Sequence, residues 1–319
     1  MATSYTDVNP DPVASGIVQS FAHGGEFVYS QVAPIRSVPG KKFRFAKWDF
    51  GDMVAAHHET KMPDNGPANV REHRGLTFDT DTCVAHGLVE EWGDTERKES
   101  AFMNMEADHE NAIWEDIVNE LGIGMESELK TALEAASNAT TLTTTQQWDD
   151  SSAVILPTFD LAILGMRHAC GLNPNIAIVP EDCFNALIND ATVLGLIKYT
   201  HDDLLNEVGG IPPMIRGVRL IVPTRLVNSA NPGATSSIAE QWASDKVYFM
   251  HVNQSASTNM KVPTAAYFAE AQTLPGMGFA AQTWRPENKT KHWTNYAVET
   301  NRKIKIQDEL IYRLDDVLE

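Results

Sequence analysis

The segment Glu90–Glu134 reads EEWGDTERKESAFMNMEADHENAIWEDIVNELGIGMESELKTALE and carries fourteen acids against Arg97, Lys98 and Lys130. Its net charge of −11 is more than half of the −18 borne by all 319 residues. From about 97 to 121, Phe102, Met105, Ile113, Ile117 and Leu121 recur at helical spacing, with acids on the other face. A long amphipathic acidic helix is expected there. Gly122 and Gly124 interrupt it, and a second helix is expected from Met125 to Ser137. A Thr-rich linker, Thr140 to Thr145, then leads to Trp148, where a boundary is placed.

Upstream of the helix the charge changes sign. Residues 36–74 hold eight bases, Lys41, Lys42, Lys47, Lys61, Arg71 and Arg74 among them, for a local +3. Phe43 and Phe45, then Trp48 and Phe50, and later Leu76 to Val89, read as strands. Between them lies the turn-rich MPDNGPANVREHRG. Two strands around a polar centre describe a projecting two-stranded arm.

Downstream, residues 149–284 alternate helix and strand. Pro157 suits the first turn of a helix ending at Cys170 before Gly171. Ile176 to Val179 reads as a strand, and Pro180-Glu181-Asp182 opens a helix running toward Leu196. Val218 to Val222 and Val247 to Val252 read as strands, with Asn231-Pro232-Gly233 as a surface turn between them. Residues 290–314 read as extended again.

Composition narrows the function. An acidic surface argues against a dedicated nucleic-acid binder, which needs a basic stripe to neutralise phosphates. No apolar run approaches the ~18–20 residues of a membrane span. The opening MATSYTDVNPDP shows no signal-peptide pattern, and three cysteines without CxxC spacing fit a reducing compartment. His57-His58-Glu59 and Asp108-His109-Glu110 lack a second His four residues on, so the HExxH zinc pattern is absent. Cys83 and His86 on an extended segment point to opposite faces. Cys170 and Cys183 are expected to fill core space. No phosphate loop, dinucleotide fingerprint or nucleophile elbow occurs, since Gly276-Met277-Gly278 lacks the third glycine and its strand–helix context. No catalytic, cofactor-binding or metal-binding residue is assigned.

The order of parts resembles the major capsid protein of tailed bacteriophages, the Hong Kong 97-type fold. The likeness rests on the basic arm, the acidic helix, and Trp148-Asp149-Asp150 with its helix. It continues through Gly171-Leu172-Asn173-Pro174-Asn175-Ile176-Ala177-Ile178-Val179-Pro180, Ile197 to Thr200, Gly217 to Val222, Val227-Asn228, Trp242, Val247 to Val252 and the terminal Asn295 to Leu318. It implies an α+β fold: an N-terminal arm (1–40), an extended β-loop (41–92), a peripheral domain with a long spine helix (93–147 and 285–319), and a central axial α/β domain (148–284). No long N-terminal scaffolding segment is seen.

The resemblance further implies a non-enzymatic shell subunit that self-assembles into hexamers and pentamers of an icosahedral phage head around double-stranded DNA. Portal, scaffolding and decoration proteins are the implied partners, with the virion as location and host cytoplasm as the place of assembly. No cofactor, membrane contact or sequence-specific DNA binding is implied. The alternatives are an encapsulin-type nanocompartment shell and a cytoplasmic α/β enzyme with an acidic cleft. The family's extended loop lies over a neighbour's spine. The expected inter-subunit contacts are therefore Lys41, Lys42, Lys47, Lys61, Arg71 and Arg74 of one copy against acids such as Glu106 and Glu110 of the next. Some members join an arm lysine to a neighbouring asparagine. Here the arm lysines are expected to remain solvated.

Overall fold

The computed structural model describes residues 14–15, 27–47, 77–150, 153–193, 195, 214–228, 230, 235–257, 262–272, 278–285 and 293–319. The chain forms α1 (Val28–Val32), β1 (Ile35–Val38), β2 (Lys42–Lys47), β3 (Thr77–Thr82), β4 (Val84–Gly93), α2 (Asp94–Phe102), α3 (Glu106–Glu134) and β5 (Ala139–Thr141). There follow α4 (Ile155–Cys170), β6 (Ile176–Ile178), α5 (Glu181–Asn189), β7 (Met214–Ile215), β8 (Val218–Ile221), β9 (Leu226–Asn228), β10 (Ile238–Glu240) and β11 (Val247–Met250). The last strands are β12 (Ala266–Ala271), β13 (Phe279–Trp284), β14 (Trp293–Ile306) and β15 (Ile311–Asp315).

Strand β14 organises the first sheet. It pairs antiparallel with β4 through residues 293–302, with β13 through 295–300 and with β12 through 301–306. Strand β1 adds to β12 in parallel. The long helix α3 packs on this sheet through Ile113, Trp114, Ile117, Val118 and Leu121, which meet Trp92, Phe279, Tyr296 and Val298. A second sheet runs β5-β15-β11-β6-β8-β7. Its core clusters Trp148 and Phe159 (stacked, 5.6 Å) with Phe249, which meets Phe159 edge-on at 5.1 Å. Thus β14 returns to the sheet under α3, whereas β15 pairs into the sheet of the central unit.

The helix after Val154 ends as the sequence predicts. Pro157 lies in its first turn, where its missing N–H breaks no ladder. Gly171 closes it at φ 77, its N–H donating to the Arg167 carbonyl at 2.8 Å. Helix α5 stops at Asn189, short of the expected extension toward Leu196, because Asp190 Oδ1 accepts the N–H groups of Thr192 and Val193 and starts a new turn. Leu196, Ile197–Thr200 and Asn231-Pro232-Gly233 lie outside the described residues, as do Trp48, Phe50 and the turn-rich segment after them.

Two expectations for the acidic region are corrected. The helix is unbroken from Glu106 to Glu134, about 44 Å long, and passes straight through Gly122 and Gly124. Those glycines admit neighbours. A Cβ at 122 would stand 2.5 Å from Cζ of Phe27, and one at 124 would stand 3.1 Å from Arg302 Nη2. The break comes earlier, at Met103–Met105, where Asn104 takes φ 60 and separates α2 from α3. The break puts α2 out of phase with α3. Ile113, Ile117 and Leu121 are buried as expected, but Phe102 is 93% exposed and Met105 also faces outward.

The Thr-rich stretch is structured. Residues Ala139–Thr141 form β5 against β15, Leu142 is buried, and Thr143 and Gln146 cap a short 3₁₀ turn. Arg313 of β15 donates to the carbonyls of Glu134 and Ala136, closing the end of α3, and Asp315 orients its guanidinium.

Candidate assembly interface

One stretch of α3, from Gly122 to Lys130, holds together three segments remote in sequence. Glu126 is almost wholly buried, 2% exposed. Its carboxylate accepts the backbone N–H groups of Val28 at 3.2 Å and Tyr29 at 3.0 Å, and the indole N–H of Trp242 at 2.6 Å. The first two bonds satisfy the open N-terminus of α1, which has no side-chain cap of its own. Lys130 Nζ donates to the carbonyls of Gln241 and Ala243, and Gln241 Nε2 donates back to the Ile123 carbonyl at 2.9 Å. Arg302 of β14, also 2% exposed, donates to Glu128 at 3.0 Å, and His86 of β4 lies 3.6 Å from the same oxygen.

Burial sets the titration of these groups. It raises the pKa of Glu126 above the usual carboxylate range, against the pull of its three donors. Burial also raises Glu270, partly offset by the Thr300 hydroxyl, and lifts the Tyr29 phenol to about 12. His86 is lowered, first by burial and then by Arg302. Glu126 and Glu270 are buried structural joints, each held by its own donors.

The arm residues divide into placed and unplaced. Strands β2 and β3 pair from Lys42 with Thr82 to Lys47 with Thr77. Lys41 and Lys42 are exposed, and Arg44 lies over the half-exposed ring of Phe78 at 5.9 Å. The base of the ribbon is pinned by Lys305, which pairs with Asp81 and sits 4.2 Å from the Phe45 ring centroid. The bond from Lys305 holds the Asp81 carboxyl below its ordinary range. Lys61, Arg71 and Arg74 lie outside the described residues, as do His57-His58-Glu59. Of the acids, Glu106 pairs with Arg97 of its own α2, and Glu110 is half-buried. The structure therefore brings Glu106 to Arg97 of the same chain.

Sequence reasoning missed the apolar surface. Phe78, Val84, Val89, Met103 (61% exposed), Leu226 and Ile238 are all exposed, in addition to Phe102 and Met105. For the elbow at 103–105 a signal existed: Asn104, a residue tolerant of positive φ, interrupts an apolar run at a phase change. For Phe78, strand alternation alone gives no partner.

The three cysteines are buried, and burial raises each thiol, Cys183 to about 12. Cys83 faces the Ala269 carbonyl, while His86 is turned to Glu128. Among the described residues no group of three or more His, Cys, Asp or Glu could hold a metal ion. No described helix is long and apolar enough to cross a membrane.

No family model and no curated protein matches the sequence. Solved structures do. A phage-related protein from Bordetella bronchiseptica superposes with a TM-score of 0.69 at 14% identity, covering 97% of this chain and 98% of that one. The encapsulin of a complex from Synechococcus elongatus matches at 0.55 and 13% identity over 90% of this chain and 86% of its own. The mature capsid of bacteriophage PhiM1 matches at 0.53 and 13% identity over 89% and 85%. These likenesses show the fold alone, an α+β architecture of the Hong Kong 97 type.

Proposed function

We propose that this chain, built on the Hong Kong 97-type fold, is the major capsid protein of a tailed phage. Copies would form the hexamers and pentamers of an icosahedral head around double-stranded DNA. The observation that carries this reading is the apolar surface left open at two places, Phe78 on the ribbon and Phe102 with Met103 on the α2–α3 elbow. Large apolar side chains exposed to this degree favour contact with other copies. The fold supplies the analogy, since its solved examples include a phage capsid and an encapsulin complex.

The proposed organisation is an arm (1–40), an extended loop (41–92), a peripheral part (93–147 with 285–319) and an axial part (148–284). On this reading β15, paired into the central sheet, ties the peripheral return to the axial part. The loop bases Lys41, Lys42, Lys47, Lys61, Arg71 and Arg74 would face acids of the next copy. Within the chain Glu106 already has Arg97, so Glu110 is the better partner. Portal, scaffolding and decoration proteins are its proposed partners, and the virion its location. The role assigned is structural, with no catalytic step.

Purified protein examined by size-exclusion chromatography and negative-stain microscopy tests the reading. Closed megadalton shells are expected, and a stable small oligomer overturns it. The encapsulin-type reading has comparable structural similarity in its favour. Particle contents separate the two: DNA packaged through a portal for the phage head, an enclosed enzyme for the nanocompartment.

A further inference from the structure

The elbow between α2 and α3 is tied on one side by partly exposed polar contacts: Arg97 pairs with Glu106, and the Ser100 hydroxyl meets His109 Nδ1 at 2.9 Å. Its outer side is apolar, with Phe102, Met103 and Met105 exposed. Phe102 and Met103, with Thr95, Lys98 and Glu99, line a shallow depression of about 440 Å³ that is open to solvent.

Charge decides what can sit there. The outer face of α3 is strongly acidic, with Asp108, Glu115, Asp116 and Glu120 among its exposed or half-buried side chains. Two such faces repel. Helix α2 differs, because Asp94 pairs with Arg285 at 3.4 Å and Arg97 with Glu106, leaving Glu96, Lys98 and Glu99 around the apolar knob. Both signs are present at adjacent positions. A rim of Lys98 beside Glu99 is complementary to itself when turned about a rotation axis.

We propose that the elbow is a like-with-like contact, Phe102 of one copy packing over the open depression at Phe102 and Met103 of another while Lys98 faces Glu99 across the junction. The occupant is a second copy of this chain. This deepens the shell reading and rests on it, because it assigns that reading a contact separate from the arm.

Phe102→Cys tests it directly. The native cysteines are buried and do not compete for a thiol reagent. A short bismaleimide added to the assembled protein should give a covalent dimer on a denaturing gel. Glu115→Cys, exposed on the acidic face, should give none. Phe102→Asp should reduce assembly at least about tenfold, as loss of a central apolar anchor does, with the subunit's circular dichroism unchanged. Lys98→Glu should weaken assembly, and Lys98→Glu with Glu99→Lys should restore it, because the swap preserves self-complementarity. Intact shells without a Phe102→Cys dimer overturn the contact and leave the shell reading standing. A crosslinked dimer from a protein that never forms shells overturns the shell reading and leaves the contact. Equal crosslinking at both positions, or capture only of a different protein, also overturns the contact.

Discussion

The ring of Phe27 lies so close over Gly122 that no side chain fits between them: a Cβ there would stand 2.5 Å from Cζ. A glycine in the body of a long helix costs about 0.8–1.0 kcal/mol relative to alanine. Here the sacrifice lets the Phe27 ring, at the start of α1, close onto α3. The opposing terms give a measurable prediction. Gly122→Ala gains that propensity but forces overpacking worth about 1–3 kcal/mol, so denaturant unfolding of unassembled subunits should show net destabilisation. Phe27→Leu in the same chain should recover part of the loss. If Gly122→Ala proves more stable than the parent, the close approach does not govern this site.

Trp242 should matter through its nitrogen as much as its ring. Its indole N–H is one of three donors to the buried Glu126 carboxylate. Trp242→Phe keeps an aromatic ring but removes that donor, and a hydrogen bond to a charged group contributes about 1.5–3 kcal/mol. Chemical denaturation should show a loss in that range. Amide hydrogen exchange at Val28 and Tyr29 should quicken, since their acceptor is then less firmly held.

Glu270 makes stability depend on pH in the direction opposite to a surface carboxylate. Burial raises its folded-state pKa above the ordinary value near 4.3. A group raised in this way contributes stability that is fully present below the unfolded pKa and lost as pH rises through the folded one. Wild type should therefore lose stability relative to Glu270→Gln as pH climbs from about 4.3 through the raised value. Parallel pH profiles for the two proteins would remove Glu270 from that account.

The arm-to-helix pairing is tested by reversing Arg71 and Arg74 to Glu. Exposed pairs contribute only about 0–1 kcal/mol each and weaken with salt, yet in a shell they recur at every subunit. Shell formation should slow or stop while subunit folding persists. Glu110→Lys should restore it better than Glu106→Lys, because the latter also breaks the pair with Arg97. Normal assembly of the double reversal at both low and high salt would end the idea.

Much of the central unit is legible from local signals. Pro157 and Gly171 bracket α4 because both act through their own backbone, whatever surrounds them. The strands around Ile176, Val218 and Val247 are short apolar runs between turn formers, and they pair as one sheet. What misleads is any residue whose role is set by a distant partner. Gly122 and Gly124 look like breakers until Phe27 and Arg302 occupy the space they leave. Thr140 and Thr141 look like linker until β15 arrives to pair with them. The Glu126 joint is equally hidden, since one more glutamate in an acidic helix carries no mark that three donors will converge on it. The exposure of Phe102 turns on the single αL residue Asn104, which shifts the phase of everything before it.

The register that matches Val84 with Arg302 also sets a timetable for biosynthesis. About 200 residues separate β4 from the strand it pairs with, and at roughly 5–20 residues per second a ribosome needs about 10–40 s to bridge that gap. From the time β4 leaves the tunnel until β14 follows, its edge is unclaimed, and unpaired edges are templates for aggregation. Neighbouring nascent chains on one messenger would meet in this state. Slowing elongation between the codons for β4 and β14 should therefore raise the insoluble fraction, and a chaperone that holds extended segments should lower it.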